Sequence, residues 1–303
     1  MQELINILYI SIDQLKKATQ NLISLTAGCD LFLRFLTTQP PPPGSMSFGA
    51  HKDSLVQHAL KFVSDARSTC VEKVANSASE FIEDGSTIMI HGYSRVVLHT
   101  ILRAFSPSQN PRKRFQVYVT ESRPSELGLR TQAILQQHGI SCVVVLDSAV
   151  AYVMGKVDLV MVGAEAVLED GGLINYIGSY QMAIAAKAHH KPFYALTESY
   201  KFLRLFPLSQ YDLPTTHPTL QFPQTPQPIK STLKNANEDI YMPRSTIIKA
   251  STVSSKLSLD EIAQNNPTLD YTTPDLITLV ISDSGILTPP GVAEYLLSVF
   301  GGE

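Results

Sequence analysis

Polar, charged and glycine residues gather at the ends of five short apolar runs. They are His91-Gly92-Tyr93-Ser94-Arg95, Thr120-Glu121-Ser122-Arg123-Pro124, Asp147-Ser148-Ala149, Gly163-Ala164-Glu165 and Thr197-Glu198, with Gly171 to Ser179 lying between the last two. Gly92 lets backbone approach a ligand, and Ser94-Arg95 opens a helix whose free N–H groups attract anions. Gly178-Ser179 opens another. With Arg95 and Arg123 close by, the chemistry expected is capture of a phosphate group, in a pocket built from Gly92, Tyr93, Ser94, Arg95, Glu121, Arg123, Glu165, Asn175, Gly178 and Ser179. A purely structural reading fits the same residues: Arg123 pairs with Glu121 or Glu165, and Ser179 caps its helix. Glu165 is the one carboxylate in this set placed to act as acid or base. There is no G-x-G-x-x-G, Walker A loop, G-x-S-x-G elbow or H-E-x-x-H. Cys142 sits within an apolar run, as a buried and inert thiol would. His189-His190 ends a helix, where the dipole favours it, and no metal site is expected.

Positioning these residues requires a particular scaffold. Thr87–His91, Phe115–Val119, Cys142–Leu146, Leu159–Val162, Pro192–Leu196 and Leu276–Ile281 read as six strands. Between and after them, Val96–Phe105, Leu127–His138, Ser179–His189 and Val292–Val299 read as helices. Continuous apolar strands alternating with helices predict an α/β fold, with a Rossmann-like parallel sheet covered on both faces. Ligands of such sheets sit beyond the carboxyl ends of the strands. Ahead of the sheet, Ile5–Leu36 and Asp53–Glu83 carry apolar residues at helical spacing, the second as one long helix capped by Asp53 and ended at Asp84-Gly85. The expected organisation is a smaller helical N-terminal domain, residues 1–84, with a Pro-rich linker at 40–45, and a Rossmann-like domain over 85–303. A proline-rich stretch from Leu213 to about Ser231 predicts a long loop.

The 303 residues are 44% hydrophobic and 17% charged, the balance of a globular chain. A net charge of −3 and the absence of a basic stripe argue against direct nucleic-acid binding. Three cysteines suggest a reducing compartment, and the acidic opening of the chain is unlike a signal peptide. No apolar run reaches membrane-span length, so no membrane partner and a cytoplasmic (cytosolic) location are expected.

Several segments, "IMIHGYSRVV", "VYVTESRP", "VVVLDSAVAYVMGKVDLVMVGAEAVLEDGGLINYIGSYQMAIAAKA" and "KPFYALTESYKFLRLFPLSQYDLP", together resemble the regulatory subunits of translation initiation factor 2B. The likeness runs from about Ser24 to "YTTPDLITLVISDSGILTPPGVAEYL", and "ESYKFLRLFPLSQ" is most similar to the alpha members. The resemblance implies a sheet of the NagB/RpiA/CoA-transferase-like kind that forms a homodimer. It also implies assembly with the beta and delta subunits and the gamma–epsilon catalytic pair that exchanges GDP for GTP on initiation factor 2, and a part in sensing the phosphorylated alpha subunit of that factor. The same fold family includes isomerases of methylthioribose 1-phosphate and ribose 1,5-bisphosphate. The resemblance to these places a catalytic cysteine after the first-strand histidine, an aspartate after Gly-Ala at the fourth strand, and an Asn-Lys pair. Here these are Gly92, Glu165 and Asn175-Tyr176, so a non-catalytic subunit is expected, with no cofactor. The alternatives are an active isomerase and a pocket that senses a sugar phosphate or nucleoside monophosphate. Met1 to Ile10 matches poorly, so either the N-terminal domain is shortened or the sequence begins at the wrong exon.

Overall fold

The computed structural model describes residues 2–19, 22–38, 48–106, 113–213 and 266–300. They belong almost wholly to one compact unit, Met1–Thr216 with Thr268–Glu303; the second unit, His217–Pro267, lies nearly all outside the described residues. So do the proline linker at 40–45 and all but the first residue of the loop expected after Leu213.

Four helices come first: α1 (Gln2–Ala18), α2 (Leu22–Thr38), α3 (Phe48–Arg67) and α4 (Thr69–Ser79). Then follow β1 (Thr87–His91), α5 (Arg95–Phe105), β2 (Gln116–Thr120), α6 (Leu127–Gln137), β3 (Ser141–Val145) and the single turn α7 (Val150–Val153). β4 (Leu159–Gly163), β5 (Ala166–Leu168), β6 (Leu173–Tyr176), α8 (Ser179–Ala188), β7 (Phe193–Thr197) and β8 (Phe202–Leu203) continue the chain. β9 (Leu269–Thr272), β10 (Leu279–Ser282), β11 (Gly285–Leu287) and α9 (Pro289–Phe300) close it.

The main sheet has the order β11-β10-β7-β4-β1-β2-β3, parallel throughout except for the β10–β11 hairpin at one edge. Its strands are apolar on both faces because both faces are covered. On one face, Ile88, Ile90, Val117 and Val119 pack against Val74 and Ala78 of α4, Ile101 of α5 and Leu135 of α6. On the other, Met89, Val160 and Val162 meet Val150 of α7, Met182 and Ala186 of α8, and Val292 and Leu296 of α9. The chain runs outward from β1 through β2 to β3, then returns to β4 on the opposite side of β1. That reversal opens a crevice at the carboxyl ends of β1 and β4.

A second, four-stranded sheet of order β8-β5-β6-β9 leaves this crevice. Its strands alternate: Val167 and Leu173 face the main core, while Ala166, Leu168, Ile174 and Tyr271 face outward, where Ile23 and Ala27 of α2 cover them. The long helix expected over 53–83 is two helices. It begins at Phe48, so Asp53 lies inside α3 rather than capping it, and it breaks at Ser68, which leaves helical geometry at φ −120°. Ser68 takes the residue-64 carbonyl with both its N–H (3.2 Å) and its hydroxyl (3.1 Å), the local competition by which serine interrupts helices. The break turns α4 so that Val71, Val74 and Ala78 are buried against the sheet, whereas Val56, Leu60 and Val63 of α3 stay exposed.

Candidate functional site

The crevice at the strand reversal holds a cavity of about 310 Å³, lined by Tyr93, Ser94, Arg95 and Val96 from the start of α5, Gly163–Glu165 from the end of β4, and Asn175 and Tyr176 from β6, with Leu127, Glu198 and Lys201 completing it. Of the ten residues expected to form a pocket, Tyr93, Ser94, Arg95, Glu165 and Asn175 meet in it; Gly92, Glu121, Arg123, Gly178 and Ser179 do not line it.

The local chain explains the wall. Ser94, extended at φ −132°, caps α5 by accepting from the Val97 N–H at 3.5 Å. A side chain at Gly163 would collide with Ser94, so the glycine is what lets β4 run against the start of α5. Gly92 adopts φ +52°, and a Cβ there would stand 2.9 Å from Ser122 Oγ. His91 is buried; its Nε2 lies 3.0 Å from the Ile177 carbonyl, which can only accept, so Nε2 carries the proton and Nδ1 accepts from Thr120 Oγ1 at 2.7 Å. Burial lowers its pKa, keeping the ring neutral. Behind it, Gly178 at φ +107° brings α8 against the imidazole.

Ser179 does not cap α8 from the N-cap position. It is fully buried, donates to the Tyr176 carbonyl at 2.9 Å and accepts from Asn175 Nδ2 at 2.8 Å, thereby fixing Asn175 in the pocket. The cap comes from Asp270 of β9, whose Oδ2 accepts from Gly178 N (2.7 Å) and Tyr180 N (3.0 Å). Its other oxygen, Oδ1, is buried without a hydrogen-bond partner, and burial pushes the carboxyl up to about 7.

Charge in the cavity centres on Glu198, 1% exposed. Arg95 Nη2 lies 2.7 Å from its Oε1 and Lys201 Nζ 3.0 Å from its Oε2; Lys201 also donates to the Ala164 carbonyl at 2.8 Å, and Tyr200 donates to Oε1 at 3.2 Å. Burial raises the Glu198 carboxyl, but Lys201 and Arg95 outweigh it and hold the group below the usual glutamate range. The arginine expected to bind phosphate therefore already carries a buried counter-charge. Lys201 went unrecognised in sequence because its partner lies one helical turn away inside an irregular segment. Glu165 is tied to α2: Ser24 Oγ donates to its carboxylate and lies 3.0 Å from its carbonyl. Outside the cavity, Arg123 is half exposed and pairs with Glu126 and, at 3.4 Å, Glu121. Arg130 of α6 stacks over the Tyr93 ring, 4.6 Å from its centroid, and among the described residues no carboxylate pairs with it. A lone arginine in a helix carries no sequence signal of its own.

No helix among the described residues is long and apolar enough to cross a membrane. The chain is 38% identical over 293 residues to translation initiation factor eIF2B subunit alpha of Dictyostelium discoideum, covering 96% of this chain and 82% of that one. It is 32% identical over 287 residues to the protein of the same name from Caenorhabditis elegans, covering 94% and 82%. Ribose 1,5-bisphosphate isomerase of Archaeoglobus fulgidus is 37% identical, over 50% of this chain and 47% of the isomerase. The fold is shared with the tetrameric eIF2B-beta2-delta2 complex of C. thermophilum (TM-score 0.67, 17% identity, 99% of this chain and 81% of that one) and with the Pyrococcus horikoshii OT3 eIF-2B protein (TM-score 0.63, 21% identity, 95% and 85%). Residues 1–289 match the Initiation factor 2 subunit family, and with this doubly wound sheet and its crevice in place, the chain belongs to that family.

Proposed function

We propose that this chain is a non-catalytic, cytosolic regulatory subunit of the guanine nucleotide exchange factor that serves translation initiation factor 2. Its roles are to dimerise through the α/β body of residues 85–303, to assemble with the beta and delta subunits and the gamma–epsilon pair, and to contribute through the helices of residues 1–84 to inhibition by the phosphorylated factor. The observation that carries this reading is that the two alpha subunits match 96% and 94% of this chain at 38% and 32% identity, whereas an isomerase match that extends over 82% of the chain falls to 25% identity.

The crevice supports the non-catalytic half. Where the related isomerases are expected to need a thiol, Gly92 occupies left-handed backbone with Ser122 Oγ filling the space a side chain would take. Where they need an acid, Glu165 is engaged by Ser24. The test is co-purification: the tagged chain is expected to retain the beta and delta subunits, and a chain that ignores them overturns the proposal. Turnover of ribose 1,5-bisphosphate or methylthioribose 1-phosphate by the purified chain is expected to be nil.

A second reading, compatible with the first, is that the cavity senses a sugar phosphate or nucleoside monophosphate. Arg130, stacked on the cavity residue Tyr93, favours it, because it is a cation with no carboxylate partner among the described residues. Ligand at a hundred times its Kd stabilises a fold by about 2.7 kcal/mol. Thermal shifts with such ligands, lost in Arg130→Ala, support this reading; their absence across the series ends it.

A further inference from the structure

A second cavity, of about 460 Å³, lies among the N-terminal helices, and Arg95 lines both it and the crevice. Its walls are apolar: Leu8 and Ile12 of α1, Leu25 and Phe32 of α2, and Phe62 and Val63 of α3. The ring centroids of Phe32 and Phe62 are 6.0 Å apart, so the α2 and α3 walls touch. Cys29, held as a neutral thiol by burial, adds to the apolar lining. A volume of this size, apolar with a few polar groups, is that of a small-molecule site.

The polar groups sort themselves to one end. Ser11 donates to the Ile7 carbonyl at 2.8 Å, and Ser24 donates to Glu165, which lines the crevice and not this cavity. Arg95 and Tyr200 remain, and Arg95 is the one charged side chain lining the cavity among the described residues. Its Nη2 serves Glu198 and the Tyr200 hydroxyl, while Nε and Nη1 donate to no group among the described residues. Glu198 is shared with Lys201, so two cations face one carboxylate and a positive charge is left over. The charges of α1 and α2 are spent on each other, Lys16 with Asp30 at 3.5 Å and Lys17 with Asp13 at 2.6 Å.

Gly28 lines the same cavity from the interior of α2, where glycine weakens a helix relative to alanine. A Cβ there would meet nothing within 4 Å, so no close packing demands the glycine; what it preserves is open volume. We propose that this cavity binds a small organic monoanion with an apolar tail, such as an acyl carboxylate. The head lies on Arg95 and the tail among the three helices. A sugar phosphate, polar along its whole length, would gain nothing from these walls, so the crevice and this cavity take different ligands.

The test is calorimetric titration of the full chain with decanoate, decyl alcohol and decylamine, each below its micelle-forming concentration. Decanoate should saturate a single site, decyl alcohol should bind about tenfold more weakly for want of a charge-assisted hydrogen bond, and decylamine should not bind. Gly28→Leu, which fills the cavity with a better helix former, should abolish decanoate binding with a thermal midpoint at or above that of the parent. Gly28→Ala stiffens the helix equally but leaves most of the space, and should keep the binding. Equal binding of decanoate and decyl alcohol overturns the assignment of the head to Arg95, and binding retained in Gly28→Leu overturns the site. Absence of saturable binding to the parent overturns the proposal outright; if Gly28→Leu then also loses the beta and delta subunits, the cavity seats a partner's side chain instead.

Discussion

Glu198 is a buried carboxylate shared by two cations, an arrangement that is costly to break from one side. Glu198→Ala leaves Arg95 and Lys201 facing each other, and removing one member of a buried pair typically costs about 3–5 kcal/mol. Arg95 is 42% exposed and can rehydrate, so the expected loss is nearer the lower figure, read as a fall in the urea midpoint. Because the folded-state carboxyl lies below its ordinary value, its stabilisation is full at neutral pH and is lost only as pH falls through that depressed value. Asp270 has the opposite sign. Its carboxyl at about 7 against an ordinary 3.8 means the folded state holds the proton more tightly, so stability from this group declines as pH rises through that interval and is flat above it. Asp270→Asn should flatten the decline in a plot of thermal midpoint against pH; an unchanged slope assigns it to another group. Little of this was legible in the residues alone. Thr197-Glu198 marks a strand end in the sequence, but Arg95 and Glu198 are 103 positions apart, and Asp270 caps a helix 90 positions earlier. Pairings of that range leave no periodic trace.

At the scale of elements, two glycines fix how helices approach strand ends. Gly128 lies in the first turn of α6, where a Cβ would fall within the van der Waals envelope of the Thr120 carbonyl at the end of β2. Backbone on that side cannot yield as a side chain would, so Gly128→Ala must push α6 away from β2. Overpacking of this kind costs about 1–3 kcal/mol. The loss should appear as lowered amide protection at 127–131, and a variant as stable as the parent would contradict the packing. Gly92→Cys, which places a thiol where the resemblance to the isomerases expects one, combines left-handed φ with the Ser122 contact. The left-handed residue alone costs about 1–2 kcal/mol without glycine, and no isomerase turnover should be gained. Six of the seven strands of the main sheet could be read in advance because each is a largely apolar run; β11, three residues long and partly exposed, could not. The second sheet could not. β5, β6 and β9 are three or four residues long, and the glycines and acids at 169–172 between the first two mask any rhythm. The 53–83 stretch misled for the reverse reason: its apolar period continues across Ser68 although the helix does not.

Across the whole molecule, the second sheet is the joint through which the N-terminal helices reach the crevice. One face belongs to the main core, and the other receives Ile23 and Ala27 of α2, each 1% exposed, while Ser24 between them reaches Glu165 at the cavity. Helix, sheet and crevice therefore share buried surface rather than meeting at a wet seam, and they should open as one cooperative unit. Ile23→Ala tests this. Truncating a buried isoleucine costs about 2–5 kcal/mol, the larger part where the surroundings cannot collapse. Ile23 packs on strands clamped from behind by the main core, so little collapse is available. Hydrogen exchange should then show protection falling together in α2, β5 and β6 while β1 and β2 keep theirs. Loss confined to α2 would mean that the helix rests on the sheet as a separable layer. In that case Ser24 could leave Glu165 without disturbing the strands, and the crevice and the N-terminal helices would respond to their partners independently.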